Sequence, residues 1–237
     1  MQLKVYINLN RNLTLPINYS HILQGVIYTA LSNDMHYQKI LHDVGQNESS
    51  FKLFTFSSLC GKHSINNKRI TFTGNVFLEI RSVDSYFIFL VYEYLKCNGI
   101  TFGTENFPVS LKLENRVIRE NSIDIKMNSP ICLSKRCEDN KTVYLSPQDK
   151  DFEQYINNNF CKKFLSYYNT APFSDVEIIT TCVSSSDKVV TSLKNVYITA
   201  WKGNFILGGS PDYLSFLYDC GLGNRNSQGF GLFEVVE

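Results

Sequence analysis

The chain has 237 residues, with 23 Lys and Arg against 22 Asp and Glu, a formal net charge of +1. That balance excludes wholesale electrostatic wrapping of nucleic acid, which takes a strongly basic domain, so any polyanion site must be local. Seven cysteines, an odd number with no C-x-x-C pair, read as buried free thiols of a reducing compartment, and Cys132 and Cys137 lack the second ligand pair of a zinc site.

Residues 1–9 alternate apolar and polar side chains, the pattern of a strand and not of a signal peptide. The longest apolar run, residues 86–92, is too short to span a bilayer, so a cytosolic protein with no membrane partner is expected. A helix follows whose core stripe is Ile22, Leu23, Val26, Ile27, Ala30 and Leu31. At 100° per residue, His21 and Tyr28 fall on its opposite side, where core packing does not explain the tyrosine.

A short helix is predicted over 35–44, with His42 projecting off its apolar face. Its near-neutral pKa range makes a histidine the readiest general acid or base, with His21, His36 and His63 as competitors. His36 and His42, six apart, do not form a helical metal pair. Residues 52–57 read as a strand opening on Lys52. Residues 61–69 then carry Lys62, Lys68 and Arg69 with no acid, either a solvated hairpin or a basic patch.

Strands over 70–73 and 76–83, a helix over 84–96 capped by Asp84, and a strand over 109–113 complete a first βαββαβ series. After a polar linker at 114–122 the order repeats. It runs through a strand at 123–127, a basic loop with Lys135 and Arg136, a strand at 142–145 that hairpins back, and a helix at 149–168. Strands at 176–183 and 189–200, a helix at 212–218 and a strand at 230–236 close it. The expected fold class is α+β, two tandem ferredoxin-like domains spanning 1–118 and 119–237.

Between the last helix and strand lies a G-h-G, five residues, G-h-G loop, with Gly221, Gly223, Gly229 and Gly231 around Arg225. Rossmann and P-loop glycines follow a strand and open a helix, the reverse of this order, which excludes both. Two readings stay open: a helix cap running into a turn, or a backbone nest for an anion, to which Arg225 would add charge.

The glycine loop, the helix Tyr-Ser-His-Ile-Leu-Gln-Gly-Val-Ile-Tyr-Thr-Ala-Leu, and the stretch from Leu41-His42-Asp43-Val44 to Lys52-Leu53-Phe54-Thr55-Phe56-Ser57 together resemble the CRISPR-associated repeat-processing endoribonucleases, the Cas-six family. The resemblance covers the chain in length and element order. It implies two ferredoxin-like domains that bind CRISPR repeat RNA as partner. It also implies cleavage without metal or cofactor, to a 5′-hydroxyl and a 2′,3′-cyclic phosphate. By motif position it assigns catalysis to Tyr28, His42 and Lys52. RNA contact is then expected at Lys62, Lys68, Arg69, Lys135, Arg136, Arg225 and the four loop glycines. Residues 46–50 depart from the family pattern as a polar insertion, and no aromatic RNP1-type motif marks the central strands, which argues against RRM-type stacking. Tyr, His and Lys suffice for metal-free cleavage: a base for the 2′-hydroxyl, an acid for the leaving oxygen and a cation for the phosphorane. A non-catalytic repeat-RNA-binding subunit is the alternative, and a homodimer or association with a CRISPR effector complex stays open.

Overall fold

Leu3, Val5 and Ile7 alternate with Lys4, Tyr6 and Asn8, and in β1 (Gln2–Asn8) the first set is buried in the core. A computed structural model of the protein describes residues 1–37, 52–137, 141–193 and 196–236. The first half continues with β2 (Leu13–Pro16), α1 (Ser20–Leu31), β3 (Phe54–Phe56), β4 (Cys60–Asn66), β5 (Arg69–Ser82) and α2 (Ser85–Asn98). A small hairpin of β6 (Ile100–Phe102) and β7 (Glu105–Phe107) leads to β8 (Val109–Glu114).

The antiparallel sheet runs β8, β1, β5, with β3 and β4 sharing the outer edge of β5, which is the ferredoxin-like order. The two strands expected at 70–73 and 76–83 are one. Residues 69–72 pair with β2 and residues 75–81 with β1, and Gly74, at φ +72, sits where the partner changes. The basic stretch is the β4–β5 hairpin, turning at Asn67 and Lys68, both at positive φ as a tight two-residue turn demands. Asp84 caps α2 by accepting from the Tyr86 and Phe87 N–H groups. Leu23, Ile27 and Leu31 of α1 and Phe87, Val91 and Leu95 of α2 bury against the sheet.

The second half contains β9 (Ser122–Met127), β10 (Ser134–Arg136), β11 (Thr142–Tyr144), α3 (Phe152–Tyr168), β12 (Glu177–Cys182), β13 (Lys188–Leu193) and β14 (Val196–Trp201). Then come β15 (Asn204–Gly208), α4 (Pro211–Cys220) and β16 (Phe233–Val235). Its sheet order, β12, β15, β9, β16, repeats the ferredoxin-like arrangement. Three expectations are corrected. The third sheet strand is β15, whereas 189–200 belongs to a separate β13–β14 hairpin that pairs with itself and leaves Val190, Val196 and Tyr197 exposed. Apolar content there mimicked a sheet strand, and β15 has only five residues to announce itself. Lys135 and Arg136 lie on strand β10, paired with β11, not in a loop. All seven cysteines are free, but only Cys132 and Cys220 are buried, while Cys97 and Cys182 are exposed.

Ile118 packs in the core of the second half. We therefore propose that the domain division falls between Glu114 and Ile118, a few residues before the expected 118/119. Among the described residues no helix is long and apolar enough to cross a membrane.

The two sheets are locked by polar groups. Gln2, Thr55, Glu79 and Arg81 lie on the face of the first sheet opposite its helices, yet all are buried, because the second half covers them. Arg81, 1% exposed, pairs with Glu79 and lies 3.6 Å from the Tyr218 ring centroid. It donates to the backbone oxygens of Phe233 (2.7 Å) and Tyr218 (3.3 Å). Gln2 donates to Glu79 at 2.6 Å and accepts from Tyr218 Oη at 3.3 Å. Removing one member of a buried ion pair strands the other charge. Arg81→Met is therefore expected to lower the unfolding free energy by about 3–5 kcal/mol, measured from the urea midpoint and slope.

Candidate active site

Gln24 and Tyr28 stand one turn apart on α1, beside rather than within its buried stripe. The Tyr28 ring is half-buried edge-on against Phe54, with centroids 6.4 Å apart. Its hydroxyl accepts from Lys52 Nζ at 2.9 Å and from Gln24 Nε2 at 3.2 Å. Both lone pairs of the phenolic oxygen are then engaged, and its one proton is free for a group in front of it. Gln24 also donates to the Ser227 carbonyl at 2.6 Å, 203 positions away in the glycine loop.

That loop is braced from inside. Asn226 Nδ2 donates to the carbonyls of Leu222 (2.9 Å) and Phe230 (3.0 Å), and the Leu222 N–H donates to Gly231. Thr55 Oγ1 ties the Phe230 carbonyl to β3 at 3.0 Å. Beneath it, Lys163 of α3 donates to the carbonyls of Gly221 (2.9 Å) and Gly223 (2.8 Å). Lys163 is 3% exposed, and loss of hydration holds its pKa down at about 8.

The four glycines are explained by this packing. All have positive φ. A Cβ on Gly231 would strike the Leu222 carbonyl oxygen, and one on Gly223 would come within 2.6 Å of the Cys132 carbonyl oxygen. On Gly221 and Gly229 it would meet Asn226 and the Phe56 ring. Arg225, in the left-handed region at φ 62, donates to Gln228 Oε1 at 3.0 Å.

Tyr28, Lys52, Gly223 and Arg225 thus come together around one pocket of about 240 Å³, whose lining also includes the glycine-loop residues 224 and 226–228 and, from the helices, Gln24, Asn159 and Lys163. Sequence reasoning missed these last three. Asn159 and Lys163 did carry a signal: they occupy the buried stripe of α3 with Phe152, Ile156 and Phe160, where apolar side chains belong. Lys62, Lys68 and Arg69 are exposed on the β4–β5 hairpin, away from the pocket. Arg136 is exposed, and Lys135 is engaged by Asp151 at 3.0 Å. His42 lies outside the described residues. His21, His36 and His63 do not line the pocket: His21 and His63 bond to the carbonyls of Asn18 and Gly61, and His36 stacks edge-on against Tyr37. Hollows of about 610 and 570 Å³ lie elsewhere, but neither gathers these cations, so chemistry and not volume selects the site.

Two ferredoxin-like halves in tandem define a class of fold, and a solved protein shares it over its whole length. The family model described as CRISPR associated protein Cas6, C-terminal, matches residues 113–235, and the chain belongs to that family. It is 29% identical over its whole length to "CRISPR-associated endoribonuclease Cas6 1" of Methanocaldococcus jannaschii, covering 93% of that protein. To "CRISPR-associated endoribonuclease Cas6" of Pyrococcus furiosus it is 27% identical over 95% of the chain and 85% of the relative. A solved structure titled "CRISPR associated protein Cas6" superposes with a TM-score of 0.78 at 26% identity, covering 100% of this chain and 99% of that one.

Two substitutions test the loop architecture. Gly74 also has positive φ, but a Cβ there meets nothing within 4 Å. Gly74→Ala should cost roughly 1–2 kcal/mol from backbone conformation alone, and Gly231→Ala about 4 kcal/mol or more because a buried carbonyl must move, both read by chemical denaturation. Lys163 supplies a pH signature. Its folded pKa near 8 lies below the 10.5 of the free side chain, so between those values the unfolded chain holds more protons and stability rises with pH. The rise should be on the order of 3 kcal/mol between pH 8 and 10.5 and absent from Lys163→Met, with the two proteins compared by urea titration.

Proposed function

We propose that this protein is an endoribonuclease that binds CRISPR repeat RNA and cleaves precursor transcripts into guide RNAs. The observation that carries the reading is the Lys52–Tyr28 contact at 2.9 Å, set in the same pocket as Arg225 of the glycine loop. Support also comes from the Cas6 relatives, which are named endoribonucleases.

In the proposed chemistry the RNA supplies its own nucleophile. A base removes the 2′-hydroxyl proton, and the oxygen attacks the adjacent phosphorus. The 5′-oxygen departs with a proton from an acid, leaving a 2′,3′-cyclic phosphate and a 5′-hydroxyl. Tyr28 and His42 share the two proton transfers. A Tyr28 hydroxyl whose lone pairs face Gln24 and Lys52 is set to present its proton to the RNA. Lys52 stabilises charge growing on the phosphoryl oxygens. Arg225 and the backbone of the loop grip the flanking phosphates, and the loop glycines, Gly221, Gly223, Gly229 and Gly231, give that grip its shape. Lys62, Lys68, Arg69, Lys135 and Arg136 extend the track for RNA outside the pocket.

The test is single-turnover cleavage of end-labelled repeat RNA in EDTA with analysis of the product ends. Tyr28→Phe and Lys52→Ala are each expected to slow cleavage by about 10²–10⁴ while repeat-RNA affinity changes little. Loss of all wild-type cleavage in the chelator would sink the metal-free chemistry. Tight binding with no cleavage under any condition would make the protein a binding subunit instead.

A further inference from the structure

Asn159 is an anomaly the cleavage chemistry leaves unused. It is 7% exposed, it lines the pocket, and its Oδ1 finds no hydrogen-bond partner among the described residues. Buried polar atoms are nearly always paired, and an orphaned acceptor typically costs about 1–3 kcal/mol. Its helical neighbour one turn on, Lys163, spends two of its protons on the glycine-loop carbonyls. The side chain is therefore held in a well-packed stripe with a carbonyl oxygen left over beside the pocket.

The rest of the lining is chemically opposite. Lys52, Lys163 and Arg225 are cations, and a phosphate answers all three. A phosphodiester has only acceptors and cannot satisfy Asn159 Oδ1. On RNA the available donors are the ribose 2′-hydroxyl and the N–H groups of the bases. The pocket is thus built for a nucleotide that brings an anion and a hydrogen-bond donor together.

We propose that Asn159 is a specificity-determining residue, its Oδ1 accepting a hydrogen bond from a 2′-hydroxyl or base N–H of the nucleotide seated in this pocket. The inference rests on the RNA-binding reading above and assigns it a discriminating contact. It separates two properties that a structural asparagine would keep together. Replacing a lone buried acceptor by an apolar group of similar shape relieves an unsatisfied atom, so the free protein should be as stable or more stable, while the RNA complex should lose a bond.

The experiment compares wild type and Asn159→Leu, with Asn159→Ala as a second variant of smaller volume, in thermal melts and in equilibrium binding to repeat RNA. One set of RNAs carries a single 2′-deoxy nucleotide at each position in turn. A second set removes exocyclic amines, with inosine for guanosine and purine riboside for adenosine. The expected result is an unchanged or raised Tm for Asn159→Leu, with roughly three- to tenfold weaker binding of the unmodified RNA. One substituted RNA should weaken wild-type binding by the same factor and the variants not at all. The set that contains it tells sugar from base. Variants that bind every RNA as wild type does, or losses that simply multiply at every position, overturn the proposal and leave the cleavage reading intact. A wild type that binds no repeat RNA overturns both.

Discussion

Lys163 enters the glycine loop from below, its ammonium held by the Gly221 and Gly223 carbonyls and, among the described residues, by no carboxylate. Two carbonyl dipoles offset only part of the lost hydration, which is why its pKa falls to about 8. The arrangement turns loop carbonyls inward. It fixes the left-handed backbone at the flanking glycines and places Arg225 at the rim of the pocket. An anion arriving there meets the charge that the protein interior leaves uncompensated, so the strain of burying Lys163 and the capacity to hold a phosphate have one origin.

The pocket exists because the halves are docked in one geometry. Its tyrosine and Lys52 come from the first half, and Asn159, Lys163 and the loop from the second. Arg81 holds that docking through the Phe233 and Tyr218 carbonyls, and Thr55 and Gln24 repeat the device at the loop itself. Each is a polar side chain of one half satisfying a backbone carbonyl of the other. Such contacts are directional, so they set register where apolar packing alone would tolerate sliding.

Much of this was legible in the sequence. Period-2 alternation announced β1, the apolar stripe defined α1, and Asp84 marked the start of α2. The failure at β15 is instructive, because the neighbouring β13–β14 hairpin is rich in the apolar and β-branched residues that favour a pleated strand, and such composition does not say which sheet a strand joins. The glycine pattern marked its loop, but not that each glycine faces protein atoms, a fact of tertiary contact. Gln24 was invisible because its partner Ser227 is 203 residues distant. Asn159 and Lys163 were legible in principle: two polar residues at i and i+4 on an apolar stripe ask for a reason, and here the reason lies above them.

The Gln24 amide, which touches Tyr28 Oη on one side and the Ser227 carbonyl on the other, has a consequence for how such proteins can be recombined. A chimera joining the first half of this chain to the second half of a relative about 29% identical would inherit two sound folds. Its seam, however, would be written in two dialects. With the loop displaced by even one ångström, Gln24 would keep its grip on Tyr28 and lose the carbonyl, or the reverse. The two halves of this chain are therefore matched to each other at the pocket through a single amide, and a foreign second half would have to present a carbonyl in the same place.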